Sequence, residues 1–419
     1  MRMTIAEKIL ARASDRDGVK PGDYITAQID TFMCHEAFAA VYLNLTSAGI
    51  SKLAHPGKAF VFLDHYVPAP TQRAASIQQI VRTGVEKLGI SNFYGERGGI
   101  AHQVMMEKGH VLPGNLIVGT DSHTCTYGAL GAASSGIGIS EMAYALATGH
   151  LWFRVPETIR FILEGELQPS VTSKDIILKI AGDYSAEAAQ YKSVEFTGSA
   201  VKEMSIDSRM TISNMSVEIG AKFGIFETDK TSEDYFKVAL PGGMERICSD
   251  PGADFEKTYE IDVSGIEPQV AVPHTVDNVK PASTLAKVKI DQAIVGSCTN
   301  GRLEDLEAAA HILKGKQVHK RVRMLVIPAS WEIYLKAAQK GILSVLIQAG
   351  AIILNPGCGP CFGSYGGLLA PGERCISSTN RNFKGRMGSD RAEVYLASPA
   401  TVAASALTGK ITDPRRISG

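Results

Sequence analysis

The sequence predicts an α/β protein built on mostly parallel sheets. Two observations carry that expectation. Short apolar strands alternate with helical patterns along almost the whole chain, and polar, reactive residues sit just past the carboxyl end of strand after strand. That is where open parallel sheets bind ligands. At 419 residues the chain should divide into two or three domains, because single cores seldom exceed about 250–300 residues. Its 41 glycines suit tight strand-to-helix turns.

The first ten residues read as an amphipathic helix without the apolar core of a signal peptide. Ala59 to Leu63 reads as a buried strand ending in Asp64-His65, and a helix follows from about Thr71 to Leu88, with Ile77, Ile80, Val81, Val85 and Leu88 at helical spacing. Asn115 to Gly119 is a second strand, ending in Thr120-Asp121-Ser122-His123. The small-residue stretch Gly128 to Gly138 then leads into a helix from near Ser140. After Val155-Pro156-Glu157, Thr158 to Gly165 is expected as an edge-like strand opening a new domain. Ala293 to Val295 runs into Gly296-Ser297-Cys298. Arg323 to Ile327 and Ala351 to Leu354 are two further strands, the latter ending at Asn355-Pro356-Gly357-Cys358. The proline-bearing, polar stretch Val272 to Ser283 is expected as a linker. The expected division is therefore 1–156, 157–275 and 276–419.

Lysine plus arginine equals aspartate plus glutamate at 43 each, so no global field argues for nucleic acid or an anionic membrane. No apolar run reaches the roughly 20 residues that span a bilayer. The seven cysteines are an odd number without the spacing of a disulfide scaffold, which points to reduced thiols in a cytoplasm.

Three of those cysteines lie in motifs: Cys298 in Gly-Ser-Cys-Thr-Asn-Gly-Arg, and Cys358 and Cys361 in Asn-Pro-Gly-Cys-Gly-Pro-Cys-Phe-Gly. Alone, Cys358-x-x-Cys361 fits half a zinc site or a redox pair as readily as anything else. No second Cys-x-x-Cys accompanies it, and the surrounding glycines and prolines suit a backbone wrapped around an inorganic cluster. Most of the ten histidines stand in no motif, but His65, His102 and His123 lie at or near strand ends with carboxylates available. A carboxylate beside a histidine fixes its tautomer and raises its basicity, as proton transfer requires. Asn214 and Glu218 are four apart, so on a helix they share one face of an otherwise small and apolar segment. Arg381 and Arg386, in Asn-Arg-Asn-Phe-Lys-Gly-Arg, are forked donors suited to a carboxylate; out of context they read equally well as solvated loop charges.

Together these motifs resemble the aconitase superfamily, and most nearly its separate large subunits of the 3-isopropylmalate dehydratase and homoaconitase type. The Gly119 to Gly131 segment, Gly-Thr-Asp-Ser-His-Thr-Cys-Thr-Tyr-Gly-Ala-Leu-Gly, is similar to the family signature nearly letter for letter, and the resemblance runs over essentially the whole chain. It implies three α/β/α domains around a central iron–sulfur cluster, without the family's swivel domain. It further implies a [4Fe–4S] cluster, one per subunit, on Cys298, Cys358 and Cys361, with one iron free of cysteine. The resemblance pairs Asp64 with His65, His102 with Asp121, and His123 with Glu218, beside Ser122. It brings Asn300 near the cluster, and Asn214, Asn380, Arg381 and Arg386 to the substrate.

The implied reaction is dehydration and rehydration of a hydroxy-dicarboxylate. The base for the carbon-bound proton would come from a small, swivel-domain partner subunit. Glu36, where relatives usually carry aspartate, and Glu141 depart from the pattern, and a 2,3-dimethylmalate or citramalate dehydratase stays open beside leucine biosynthesis. From other classes, an electron-transfer protein is disfavoured by three ligands, and a cluster-free RNA-binding regulator by the balanced charge.

Overall fold

A computed structural model of the chain describes residues 2–236 and 246–417; residues 237–245, in the second expected domain, and 418–419, at the end of the third, lie outside the described residues. Strands such as Leu116–Gly119 and Ala59–Phe62 are buried along their whole length. A strand apolar on both faces needs cover on both faces, and parallel sheets with helical crossovers supply it. The first sheet has five strands in the order Asn92–Tyr94, Ala59–Phe62, Thr31–Cys34, Leu116–Gly119 and Ala133–Gly136, all parallel, with its three central strands buried throughout. Helices Phe38–Ser47, Gln72–Lys87 and Ile139–Thr148 connect or follow them. Thr71 caps the second of these, its side chain accepting from the Ala74 N–H, a bond of a kind worth about 1 kcal/mol.

The second sheet has four parallel strands in the order Phe223–Phe226, Ser193–Thr197, Thr158–Glu164 and Lys257–Asp262. Thr158–Glu164 is thus an interior strand, not the edge that its position after Val155-Pro156-Glu157 suggested. Its outer neighbour comes from about a hundred residues later, a distance along the chain that local pattern does not register. The third sheet has seven strands. Five are parallel: Glu393–Ala397, Arg374–Ser377, Gln292–Gly296, Arg323–Ile327 and Ile352–Ile353. Gln269–Ala271 and Val279–Pro281 extend it antiparallel. The stretch expected as a linker is therefore a hairpin on this sheet, straddling the 275/276 division. Its prolines, Pro273 in the turn and Pro281 at an outer strand end, sit where a missing N–H costs no ladder bond. A two-stranded antiparallel ribbon, Tyr24–Gln28 with His150–Arg154, completes the sheets. No helix among the described residues is long and apolar enough to cross a membrane.

The first and second sheets are joined by close packing. The 3-10 segment Ser122–Leu130 lies on helix Ile206–Met215 and on strand Phe223–Phe226. A Cβ at Gly128 would lie 1.9 Å from the Gly224 carbonyl oxygen, so only glycine lets the two backbones touch. The N-terminal helix Ile5–Ala13 is tied across as well: its Ile5 N–H donates to Glu195 Oε1 at 2.9 Å.

Gly128→Ala is expected to cost about 1–3 kcal/mol or more, the range for overpacking a rigid contact. Gly57→Ala, where nothing lies within 4 Å of the added carbon, is the control. Denaturant midpoints of the two variants check this.

Candidate active site

The chemistry-bearing residues leave the carboxyl ends of strands in two of the sheets. From the first sheet, Thr31–Cys34 leads to His35-Glu36, Ala59–Phe62 to Asp64-His65, and Leu116–Gly119 to Asp121-Ser122-His123. His102 stands at the second position of helix Ala101–Glu107, whose Ala101 N–H donates to Asp64 Oδ2 at 2.8 Å. From the third sheet, Gln292–Gly296 leads to Cys298, Ile352–Ile353 to Cys358 and Cys361, and Arg374–Ser377 to Asn380-Arg381. The turn into Cys298 is sharp. Gly296 has φ +151 and Ser297 φ +84, and a Cβ at Gly296 would meet the Ile327 carbonyl oxygen at 2.5 Å. A non-glycine residue held at such an angle costs roughly 1–3 kcal/mol and persists only where the surroundings enforce it.

Asp64, His65, His102, Asp121, His123, Cys298, Cys358, Cys361, Asn380 and Arg386 surround one small cavity, with Ile100 and Phe362 also in its lining. Three acid–histidine contacts run along it. His65 Nδ1 lies 2.6 Å from Asp64 Oδ1, His102 Nε2 lies 3.0 Å from Asp121 Oδ1, and His123 Nε2 lies 2.7 Å from Glu218 Oε1. Asp121 is shared: its Oδ2 is 3.5 Å from His65 Nε2, and its Oδ1 accepts the His123 N–H at 2.7 Å. Burial alone would push the Asp121 carboxyl up, but hydrogen bonds from His102, His123 and His65 hold it well below the usual carboxylate range. For His65 burial works downward, and the Cys358 and Asp64 charges outweigh it, raising the imidazole well above its ordinary value.

The remaining residues stand around this core. Glu218 is on a 3-10 turn, Ser216–Ile219, because helix Ile206–Met215 ends before it; it does not share a helix face with Asn214. The two point to different tasks. Asn214 Nδ2 donates to Thr126 Oγ1 at 2.8 Å and to Cys298 Sγ at 3.3 Å, whereas Glu218 also accepts from Arg381 Nε at 2.8 Å. Arg386 keeps a buried Nε with no partner at the cavity wall. Ser122 Oγ is 3.4 Å from His123 Nδ1 and opens on a separate groove. Asn300 is set back: its Nδ2 donates to Asp305 Oδ1 at 2.9 Å, and its buried Oδ1 has no partner.

Several contributors were not picked out from the motifs. His35 stacks on His65 with ring centroids 4.2 Å apart. Glu36 accepts the N–H groups of His65 and Tyr66, each at 3.0 Å at its Oε1. Burial, then the Asp64 charge, lifts its carboxyl to about 7. The signal was present: His35-Glu36 ends a strand just as Asp64-His65 does. Arg302 is fully buried and donates to the carbonyls of Cys298 and Thr299, each at 2.6 Å.

The chain matches the family model described as Aconitase family (aconitate hydratase), over residues 7–287 and 278–409. It belongs to the aconitase family. It is 49% identical over 416 residues to "3-isopropylmalate dehydratase large subunit 1" of Methanopyrus kandleri, covering 99% of each chain. It is 50% identical over 415 residues, again 99% of each, to "Probable 3-isopropylmalate dehydratase large subunit" of Methanothermobacter thermautotrophicus. A crystal structure of Thermococcus kodakaraensis aconitase X shares the fold, with a TM-score of 0.52 at 12% identity over 88% of both chains.

Membership makes the chain a hydro-lyase and implies an iron–sulfur cluster. The cavity suits one. Cys298 and Cys361 are buried, and two amide N–H groups, from Asn214 and Asn380, point at Cys298 Sγ. Among the described residues, the groups whose ligand atoms converge within 4.8 Å are His35–His65–Asp121 and Asp64–His65–Cys358. All three motif cysteines line the same cavity. Burial pushes the Cys298 thiol up to about 12, so a thiolate there requires a bound metal.

The depressed Asp121 pKa has a pH signature. An unfolded aspartate titrates near ~3.9, so the stabilisation is fully present above that value and is lost as pH falls through the lower folded value. Asp121→Asn is expected to lower stability by about 1–3 kcal/mol near neutral pH. The deficit should shrink below about pH 4, as denaturant midpoints of the cluster-free chain across pH will read.

Proposed function

We propose that this chain is the large subunit of a two-subunit hydro-lyase of the 3-isopropylmalate dehydratase type. The observation that carries this reading is the meeting of the Asp64–His65 pair, the three cysteines and Arg386 in one cavity. Full-length relatives bearing that name support the substrate class. Cys298, Cys358 and Cys361 would hold a [4Fe–4S] cluster, which, with one iron free of cysteine, supplies a Lewis acid for a hydroxyl and a carboxylate oxygen.

The chain's own residues do the rest. His65, whose imidazole the Cys358 and Asp64 charges raise above its ordinary value, gives its proton to the departing hydroxyl and takes one from water in the reverse direction. Asp121 holds His102 and His65 in register. Glu218 orients both His123 and Arg381, and Ser122 meets the other nitrogen of His123. Arg381 and Arg386 are the forked donors for substrate carboxylates, with Asn214 and Asn380 beside the sulfurs. Phe362 and Ile100 limit water. A swivel-domain small subunit would contribute the base for the carbon-bound proton. The seven free cysteines fit a reducing cytoplasm.

A homoaconitase activity is the second reading, favoured by a 45% identical full-length relative named "Probable methanogen homoaconitase large subunit". Anaerobic purification with the small subunit, followed by hydration assays on the unsaturated diacid of 3-isopropylmalate and on homoaconitate, separates the two. A stable cluster with no turnover of either would sink both.

Cys358→Ser is expected to abolish activity together with the absorbance shoulder near about 400 nm that marks the cluster. Asp64→Asn should keep that absorbance and lose about 10²–10⁴-fold in kcat. Full turnover in this variant would remove His65 from the proposed acid role.

A further inference from the structure

Lys174 has no exposed surface at all, and it sits in the first turn of helix Ser173–Tyr184. Both facts are unfavourable for an ammonium. Lysine is almost never fully buried unless paired, and a cation at a helix N-terminus opposes the dipole. Burial accordingly depresses its pKa, to about 7. Among the described residues no carboxylate oxygen bonds it. Its Nζ donates instead to two consecutive carbonyls, Ser378 O at 2.9 Å and Thr379 O at 2.5 Å.

Those carbonyls belong to the loop after strand Arg374–Ser377, immediately ahead of Asn380 and Arg381. The Thr379 carbonyl is in the same planar peptide as the Asn380 nitrogen, so pinning its oxygen fixes the plane from which Asn380 departs. Asn380 then reaches Thr299 Oγ1 at 3.0 Å and Cys298 Sγ at 3.4 Å, and its Oδ1 lies 3.5 Å from Cys361 Sγ. Arg381 reaches Glu218. The opposite face of the loop is held by neutral groups: Ser378 N–H donates to Ile294 O, and Ser378 Oγ accepts from the Gly296 N–H. Lys174 is the one charged group on the segment's backbone among the described residues, and it comes from an element of the second sheet's layer.

We propose that Lys174 is a positioning residue: it locks the Ser378–Arg381 segment so that Asn380 meets the cysteine sulfurs and Arg381 meets Glu218 and the substrate carboxylate. It touches neither substrate nor sulfur itself. This rests on the hydro-lyase reading above, and it adds a residue outside the cavity to that site. The terminal amine is the right tool, because its donors reach two adjacent carbonyls at once. A misplacement of about 1 Å at a substrate-holding group can cost on the order of 10²-fold in rate.

The test compares Lys174→Met, which keeps the stem and removes the donors, with Lys174→Gln, which keeps amide donors, and Lys174→Arg, which keeps the charge. Each is measured in the reconstituted complex with the small subunit, on the same unsaturated diacid. Lys174→Met should assemble the cluster, raise KM about 10-fold and lower kcat about 10–100-fold. Lys174→Arg or Lys174→Gln should recover part of the KM. Wild-type KM and kcat in Lys174→Met overturn the proposal. So does loss of kcat at unchanged KM that neither donor-bearing variant recovers, and so does failure of all three chains to fold, which would assign Lys174 to stability alone. A wild-type complex with a cluster and no turnover defeats the hydro-lyase reading itself, a result distinct from any of these.

Discussion

Asp121 is the group on which the candidate site depends. One carboxylate meets three histidines that arrive from different parts of the first sheet's layer: His65 after one strand, His102 from a short helix, and His123 two residues along its own turn. Removing a charge from water is expensive unless it is paired and hydrogen-bonded. Here the three histidine contacts outweigh the burial and leave the carboxylate more acidic than in water. Its neighbours are thereby fixed in rotamer and in separation. From Asp121 the contacts continue through His123 and Glu218 to Arg381, so the three histidines, both carboxylates and this guanidinium form a single connected network.

The third sheet meets that network from the opposite side. Its strand ends deliver the cysteines on turns that demand unusual backbone, such as Gly296-Ser297, and those turns are held by buried cations. Arg302 takes the carbonyls behind Cys298, and Lys174 those ahead of Asn380. Each is buried and bonds backbone carbonyls of the loops that carry Cys298 and Asn380. A site whose groups must sit within a fraction of an ångström is better carried on rigid strand ends tied in this way than on free loops.

Much of this was readable from the residues. Asp64-His65, Asp121-Ser122-His123, Cys298, Cys358 and Cys361 announce themselves because each follows a short apolar run, and apolar runs are local signals. The first sheet's strands and the helix after Thr71 are legible for the same reason. Less legible were features that depend on a partner far away in the chain. Thr158–Glu164 looks like an edge until Lys257–Asp262 is laid beside it, and Val272 to Ser283 looks like a linker until Gln269–Ala271 pairs with Glu393–Ala397. Glu218 was read on a helix that in fact tightens at Ser216, since a 3.6-residue pattern does not register the last turn.

The sequence by itself determined the parallel α/β class and the family, because strand runs and strand-end motifs are written in consecutive residues. Only the tertiary structure decided which carboxylate is shared, that Asn300 faces Asp305 instead of the cavity, and that Lys174, Arg302, His35 and Glu36 belong to the site's support. Those assignments turn on contacts of about 3–4 Å that residue order does not announce, for Lys174 between residues more than two hundred positions apart, and on burial that makes every unpaired charge costly. Neither quantity exists until the three sheets are packed together.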